Sequence, residues 1–132
     1  MADRLRSLHR IAAVQRQMVR LSEWRLAAAE RSCHDVAADQ ARLQGYVVKE
    51  GSLGVSLAKS ALRSLHRLDG KLVTAERARD TSRDALESSK RRETVVTDLT
   101  DRVSRATRRA NEDRELAATI ESWLAAKGTS LP

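Results

Sequence analysis

The sequence predicts an all-α fold: two long helices forming an antiparallel coiled-coil hairpin. Three observations lead there. Apolar residues recur at alternating steps of three and four along much of the chain, which is the spacing of a coiled-coil seam. Charged residues make up 33% and aromatics 2%, with no Phe and one Pro, at the last position; that is the composition of a long helix, not of a globule packed on large side chains. Four of the five glycines fall between Gly45 and Gly70, and each costs a helix about 1 kcal/mol relative to alanine. The 132 residues allow one domain at most. We therefore expect a single hairpin over residues 1–132, with helix one at about 4–48, a turn at about 49–55 and helix two at about 56–127.

Helix one is expected to begin at Arg4 with Asp3 as its cap. Its seam runs Leu5, Leu8, Ala12, Gln15, Val19, Ser22, Leu26, Ala29, Cys33, Val36, Gln40, Leu43 and Val47. Ten of these thirteen positions are apolar, enough to hold a heptad register. Ile11, Val14, Met18 and Leu21 form a second stripe beside the first. The apolar face is thus wider near the start than one partner helix requires. At ~1.5 Å per residue, Arg4 to Val48 would span roughly 65 Å.

The turn is placed at Gly51-Ser52-Leu53-Gly54, the densest loss of helix propensity, with Gly45 and Gly70 loosening the helical turns around it. A rival turn is Leu68-Asp69-Gly70-Lys71, with Gly70 as the residue after the helix end. Helix two then offers Leu57, Ala61, Leu65, Leu68, Leu72, Ala75, Ser82, Leu86 and Ser89. Its seam strengthens late through Val96, Leu99, Val103, Ala106, Ala110, Ala117, Ile120 and Leu124. Acid-before-base pairs such as Asp80–Arg83, Glu87–Lys90, Glu87–Arg91, Asp98–Arg102 and Asp101–Arg105 each add a few tenths of a kcal/mol to an exposed helix. Lys127-Gly128 reads as the helix stop. Pairing about residue 52 or 53 puts Leu5 near position 100. The C-terminal turns from about Thr107 then project past their partner, carrying Ala110, Ala117, Ile120, Trp123 and Leu124.

The formal charge of +7 is uneven. Residues 1–25 carry Arg4, Arg6, Arg10, Arg16, Arg20 and Arg25 against Asp3 and Glu23. Such a cluster suits an acidic protein surface, a nucleic acid or an anionic membrane. The start also resembles a mitochondrial transit peptide, although the helical pattern runs past it without a cleavage-like break. Cys33 is the single cysteine, so no internal disulfide can form and a reducing compartment is acceptable. No apolar run approaches the ~20 residues of a membrane span.

Reaction chemistry is not visible. His9, His34 and His66 are scattered, and Cys33 and His34 are sequence neighbours that a helix points about 100° apart. There is no HExxH, CxxC, P-loop or GxGxxG. We expect no enzyme, no metal and no cofactor. Trp24 and Trp123 read as packing or interface anchors; Tyr46, beside the proposed tip, is expected to be exposed before either Trp, or else to cap the tip seam with its hydroxyl toward water.

A basic amphipathic first helix, a Leu43-Gln44-Gly45-Tyr46 stretch, a glycine-containing turn, a Leu65/Leu68/Leu72 ladder and a long charged second helix follow one another. In this layout the chain resembles the central stalk family of type III secretion, the flagellar FliJ and injectisome YscO-type proteins. The resemblance implies a non-enzymatic stalk, cytoplasmic and peripheral at the secretion apparatus. Its end holding both termini would enter the hexameric export ATPase, through Arg4, Leu5, Arg6, Leu8, Arg10, Ile11 and Trp123. Its tip would present Leu43, Tyr46, Leu65 and Leu68 to the export gate in the membrane, and export chaperones are further implied partners. Many flagellar members carry more aromatics at the tip, which tilts the likeness toward the injectisome proteins. Two other readings stand beside it: a coiled-coil adaptor or homo-oligomer, and a basic helical nucleic-acid-binding protein. A surface-lying amphipathic helix over Arg4–Arg25 would be a membrane variant.

Overall fold

The structure, a computed structural model, describes residues 2–49 and 54–130. Two helices account for almost all of them: α1, Ala2–Lys49, and α2, Val55–Ser130. They pack against each other, and the described residues contain no strand. The fold is an all-α helical hairpin. By packing it divides into two compact units, one of residues 17–91 and one joining residues 1–16 to 92–132.

In the unit of residues 17–91, side-chain pairs fix the direction. Ser22 and Ser89 share a hydroxyl hydrogen bond of 3.3 Å, and Gln40 donates from Nε2 to the Asp69 carboxylate. As the α1 partner advances, the α2 partner retreats, so the helices run antiparallel. Both pairs have their midpoints at residues 54–56, not at residue 52 or 53 as the glycine spacing suggested. The shift follows from where α2 starts. Gly54 accepts a hydrogen bond from the Ala58 N–H at 3.0 Å, so the last glycine of the break opens the helix; glycine is an acceptable residue before the first turn. Gly51, Ser52 and Leu53, the centre of the expected turn, lie outside the described residues.

Gly45 and Gly70 correct the sequence reading. Both sit inside continuous helix with ordinary backbone angles, and the rival turn at Leu68–Lys71 does not form. A single glycine costs only about 1 kcal/mol, which the packing of neighbouring turns outweighs. Thr74 donates its hydroxyl to the Gly70 carbonyl at 3.0 Å, and a helix passing through the site keeps that bond. Two helix ends differ as well. Asp3 lies in the first turn of α1, where its charge complements the helix dipole. Gly128 does not stop α2, which runs on to Ser130 without a left-handed residue.

The seam of α1 matches the expected ladder: all thirteen positions are buried or half-buried, with Leu8, Ala12, Val19 and Cys33 the most enclosed. The seam of α2 departs from expectation. From Ala61 to Ala110 every position at strict alternating steps of four and three is buried or half-buried, including Arg79, Glu93, Thr100 and Thr107. Thr100 is 7% exposed and Leu99 is 40% exposed, so Thr100 and Thr107 take the places expected for Leu99 and Ala106. A supercoil keeps its 3.5-residue step whatever the residue type, and an isolated apolar neighbour one position away does not break it. The Thr100 hydroxyl is satisfied by its own helix, donating to the Val96 carbonyl at 2.7 Å. In the unit of residues 1–16 and 92–132, the Thr107 hydroxyl and the Gln15 amide oxygen are buried without a hydrogen-bond partner, so this seam is the less well satisfied of the two.

Two ion pairs lie on outward side chains, and a third is made by the seam residue Arg79. Glu87 and Arg91 meet at 3.8 Å, and Arg42 pairs with Asp39. Asp80 accepts from its neighbour, with Arg79 Nε and Nη2 each 3.2 Å from Oδ1. That hydrogen bond, with the carboxylate's charge, raises the Arg79 guanidinium above its ordinary range.

Two outcomes follow from this register. Gly70→Ala should raise stability by about 1 kcal/mol, since its Cβ would meet nothing within 4 Å and the helix is continuous there. Thr100→Asp should cost about 2 kcal/mol or more, because it buries a charge, whereas Leu99→Asp should cost well under half of that. Urea unfolding followed by circular dichroism measures all three.

Candidate interaction surfaces

The outward faces, not the seam, hold the candidate sites. In the unit of residues 1–16 and 92–132, Arg4, Arg6 and Arg10 are exposed along α1, and so are Ile11 and Val14. Leu5 is half-buried and Leu8 is buried. Leu8 is therefore committed to the hairpin seam and is not free to meet a partner. Arg4 lies beside Val103, Ala106 and Thr107 around a small hollow of about 100 Å³. The available contact set on this part of α1 is thus three guanidinium groups with Ile11 and Val14 beside them.

Trp123 does not join that set. It lies sixteen residues past Thr107 on the same helix, about 24 Å along the axis at ~1.5 Å per residue. It belongs to a separate surface. Residues 111–128 of α2 are all exposed, among them Leu116, Ile120, Trp123 and Leu124. The sequence placed Ile120, Trp123 and Leu124 beyond the partner helix but overlooked Leu116, which lies one step outside the Ala117–Ile120–Leu124 ladder. Ala110 is half-buried and closes the seam. Lys127 holds its ammonium 4.7 Å above the Trp123 ring, a cation–π contact on an exposed helix face.

In the unit of residues 17–91, Arg20 and Arg25 are exposed, together with Met18 and Leu21. The second apolar stripe of α1 is therefore uncovered in each unit's share of it. Near the turn, Leu43, Tyr46, Leu57, Ser60, Ala61 and Ser64 line a hollow of about 180 Å³. The structure brings Leu43 and Tyr46 together there, but their companion across the hairpin is Leu57. Leu65 and Leu68 are half-buried in the seam and do not line it. Leu57 is exposed, although the heptad ladder counted it as seam, because it precedes the first full turn of helix pairing. A shallower groove of about 690 Å³ opens where Gly70, Thr74, Ala75 and Ala78 face Ser32 and Val36, with Arg67 and Lys71 also lining it.

The aromatics need one correction. Trp24 is 64% exposed, Trp123 58% and Tyr46 56%, so Tyr46 is open as expected, but both Trp are at least as open and neither packs inside the hairpin. Trp24 falls two residues after seam position Ser22, on the outer side of the helix, which explains its exposure.

Among the described residues, no group of three or more His, Cys, Asp or Glu could hold a metal ion, and no helix is long and apolar enough to cross a membrane. Cys33 is a free, buried thiol. No family model, curated protein or solved structure matches the chain.

Leu8→Asp should destabilise the hairpin by about 2 kcal/mol or more, while Ile11→Asp should leave stability within about 0.5 kcal/mol. Thermal melts of the two variants separate a seam residue from a surface residue three positions away.

Proposed function

We propose that this chain is a non-enzymatic stalk of a bacterial type III export apparatus, bound at its arginine-bearing terminal unit by the hexameric export ATPase. The observation that carries the reading is the pairing of a helical hairpin with three exposed arginines, Arg4, Arg6 and Arg10, spread over the outer half of α1 around exposed Ile11 and Val14. An acidic, partly apolar pore would attract that surface over several ångströms and hold it at contact. The charge supplies orientation and on-rate, and salt screens it. A hairpin has no rotational symmetry about its long direction, so it touches the six subunits of a ring unequally. It can bias their nucleotide states without a reactive group of its own.

At the turn side, the Leu43–Tyr46–Leu57 hollow is the surface offered to the export gate or to an export chaperone. It is apolar and shallow, and it has one aromatic. That fits a transient contact better than a permanent one. The place of action in this reading is the cytoplasmic face of the secretion apparatus.

Purified chain should co-elute with the export ATPase of its own cell, favour the hexamer and raise ATP turnover severalfold at low salt. The triple variant Arg4→Glu/Arg6→Glu/Arg10→Glu should keep its helicity and lose most of that stimulation. Absence of co-elution with unchanged turnover overturns the reading.

A further inference from the structure

The segment of α2 over residues 111–128 is exposed along its whole length. We propose that two copies of this chain associate through it, antiparallel, about a two-fold axis at Ile120. The inference does not depend on the export reading and concerns a surface that reading leaves unused.

Three features of the segment point to a second copy. The first is its apolar face. Asp113, Ile120 and Lys127 lie seven residues apart and so fall on one line along the helix, give or take the small drift of the heptad. Leu116, Ala117, Trp123 and Leu124 flank that line within about 60° on either side. All of them are exposed in the single chain. In proteins most helical stability comes from packing an amphipathic face, and here no other described helix covers that face.

The second feature is charge. Asp113, with Glu112 beside it, stands at the start of the stripe and Lys127 near its end, while Arg114, Glu115 and Glu121 lie off it. The third is placement. Set antiparallel about Ile120, Asp113 comes level with the other copy's Lys127 near the middle of the stripe, Trp123 meets the other copy's Leu116 on one flank, and small Ala117 meets its Leu124 on the other. Parallel pairing would instead bring Asp113 level with Asp113 and Lys127 level with Lys127, setting like charges side by side near the middle of the stripe. One self-complementary patch used twice is the ordinary way a two-fold dimer forms. Lys127 already lies over Trp123 within the chain. In the pair it would cover that ring from the side while reaching the opposing carboxylate.

The contact covers about five helical turns, which places it among small and readily reversible interfaces. Sedimentation equilibrium of the full chain between about 5 and 200 μM should therefore show the mass climbing with concentration, from 14.7 kDa toward twice that value. Ile120→Asp should hold the mass at the monomer value across the range. Lys127→Asp should weaken association about tenfold, and Asp113→Lys/Lys127→Asp should restore it, an outcome that loss of folding cannot imitate. In a Cys33→Ser background, Ile120→Cys should form a disulfide-linked dimer under mild oxidation, because only residues near the axis bring their two copies within bonding range. A monomer at every concentration overturns the proposal. So does a dimer insensitive to Ile120→Asp, or one that cross-links through Ile11→Cys instead, which would assign the interface to α1. A monomer that still stimulates the export ATPase defeats the dimer alone, and a dimer without effect on the ATPase defeats the export reading alone.

Discussion

The hairpin depends on the alternating three-and-four spacing that keeps one narrow line of each helix turned toward the other. Small residues recur along that line between the leucines and valines: Ala12, Ser22, Ala29 and Cys33 on α1, and Ala61, Ala75, Ser82 and Ser89 on α2. Small side chains let backbones approach closely but remove little apolar surface per turn, at roughly 25 cal/mol per Å². Cohesion therefore accumulates along the length of the seam and is not concentrated in a few large residues. Among the described residues no side chain is fully enclosed, and the most buried of them, Ser89, is still 3% exposed. The seam also carries polar layers. Ser22 and Ser89 bond to each other, and Thr100 satisfies itself on its own backbone. Such layers contribute little to burial but penalise slippage, since a shifted register would set hydroxyls against apolar residues.

The sequence was most legible where hydrophobicity and geometry agreed. On α1 the apolar residues themselves follow the heptad, so the ladder from Leu5 to Val47 matches the buried line throughout. On α2 they disagree. Leu99 and Ala106 are apolar but sit one position off the line, while Thr100 and Thr107 are polar and sit on it; reading by residue type followed the wrong pair. Arg79 and Glu93 were passed over for the same reason. Their long stems can lie along a seam while their charged ends reach water. Glycine was over-read at Gly45 and Gly70. Propensity ranks single residues, whereas a helix many turns long absorbs an isolated defect.

The candidate surfaces follow from a division of labour set by that seam. With the inner line given over to holding the hairpin, anything the chain recognises must be met by its outer faces. Leu8 shows the limit, because a residue that serves the seam cannot also serve a partner. Tyr46 and Leu57 show the opposite case: close to the turn, the pairing is incomplete and apolar groups stay open. What sequence alone could not supply was grouping. Ile11 and Trp123 look equivalent as exposed apolar residues, yet many helical turns separate them, so they belong to different encounters.

The position of the two indoles has a practical corollary for spectroscopy. Trp24 and Trp123 both already face solvent in the folded chain, so melting the helices changes their surroundings little. Intrinsic emission is a poor reporter of unfolding in this molecule but a sensitive one for whatever comes to rest on its outside.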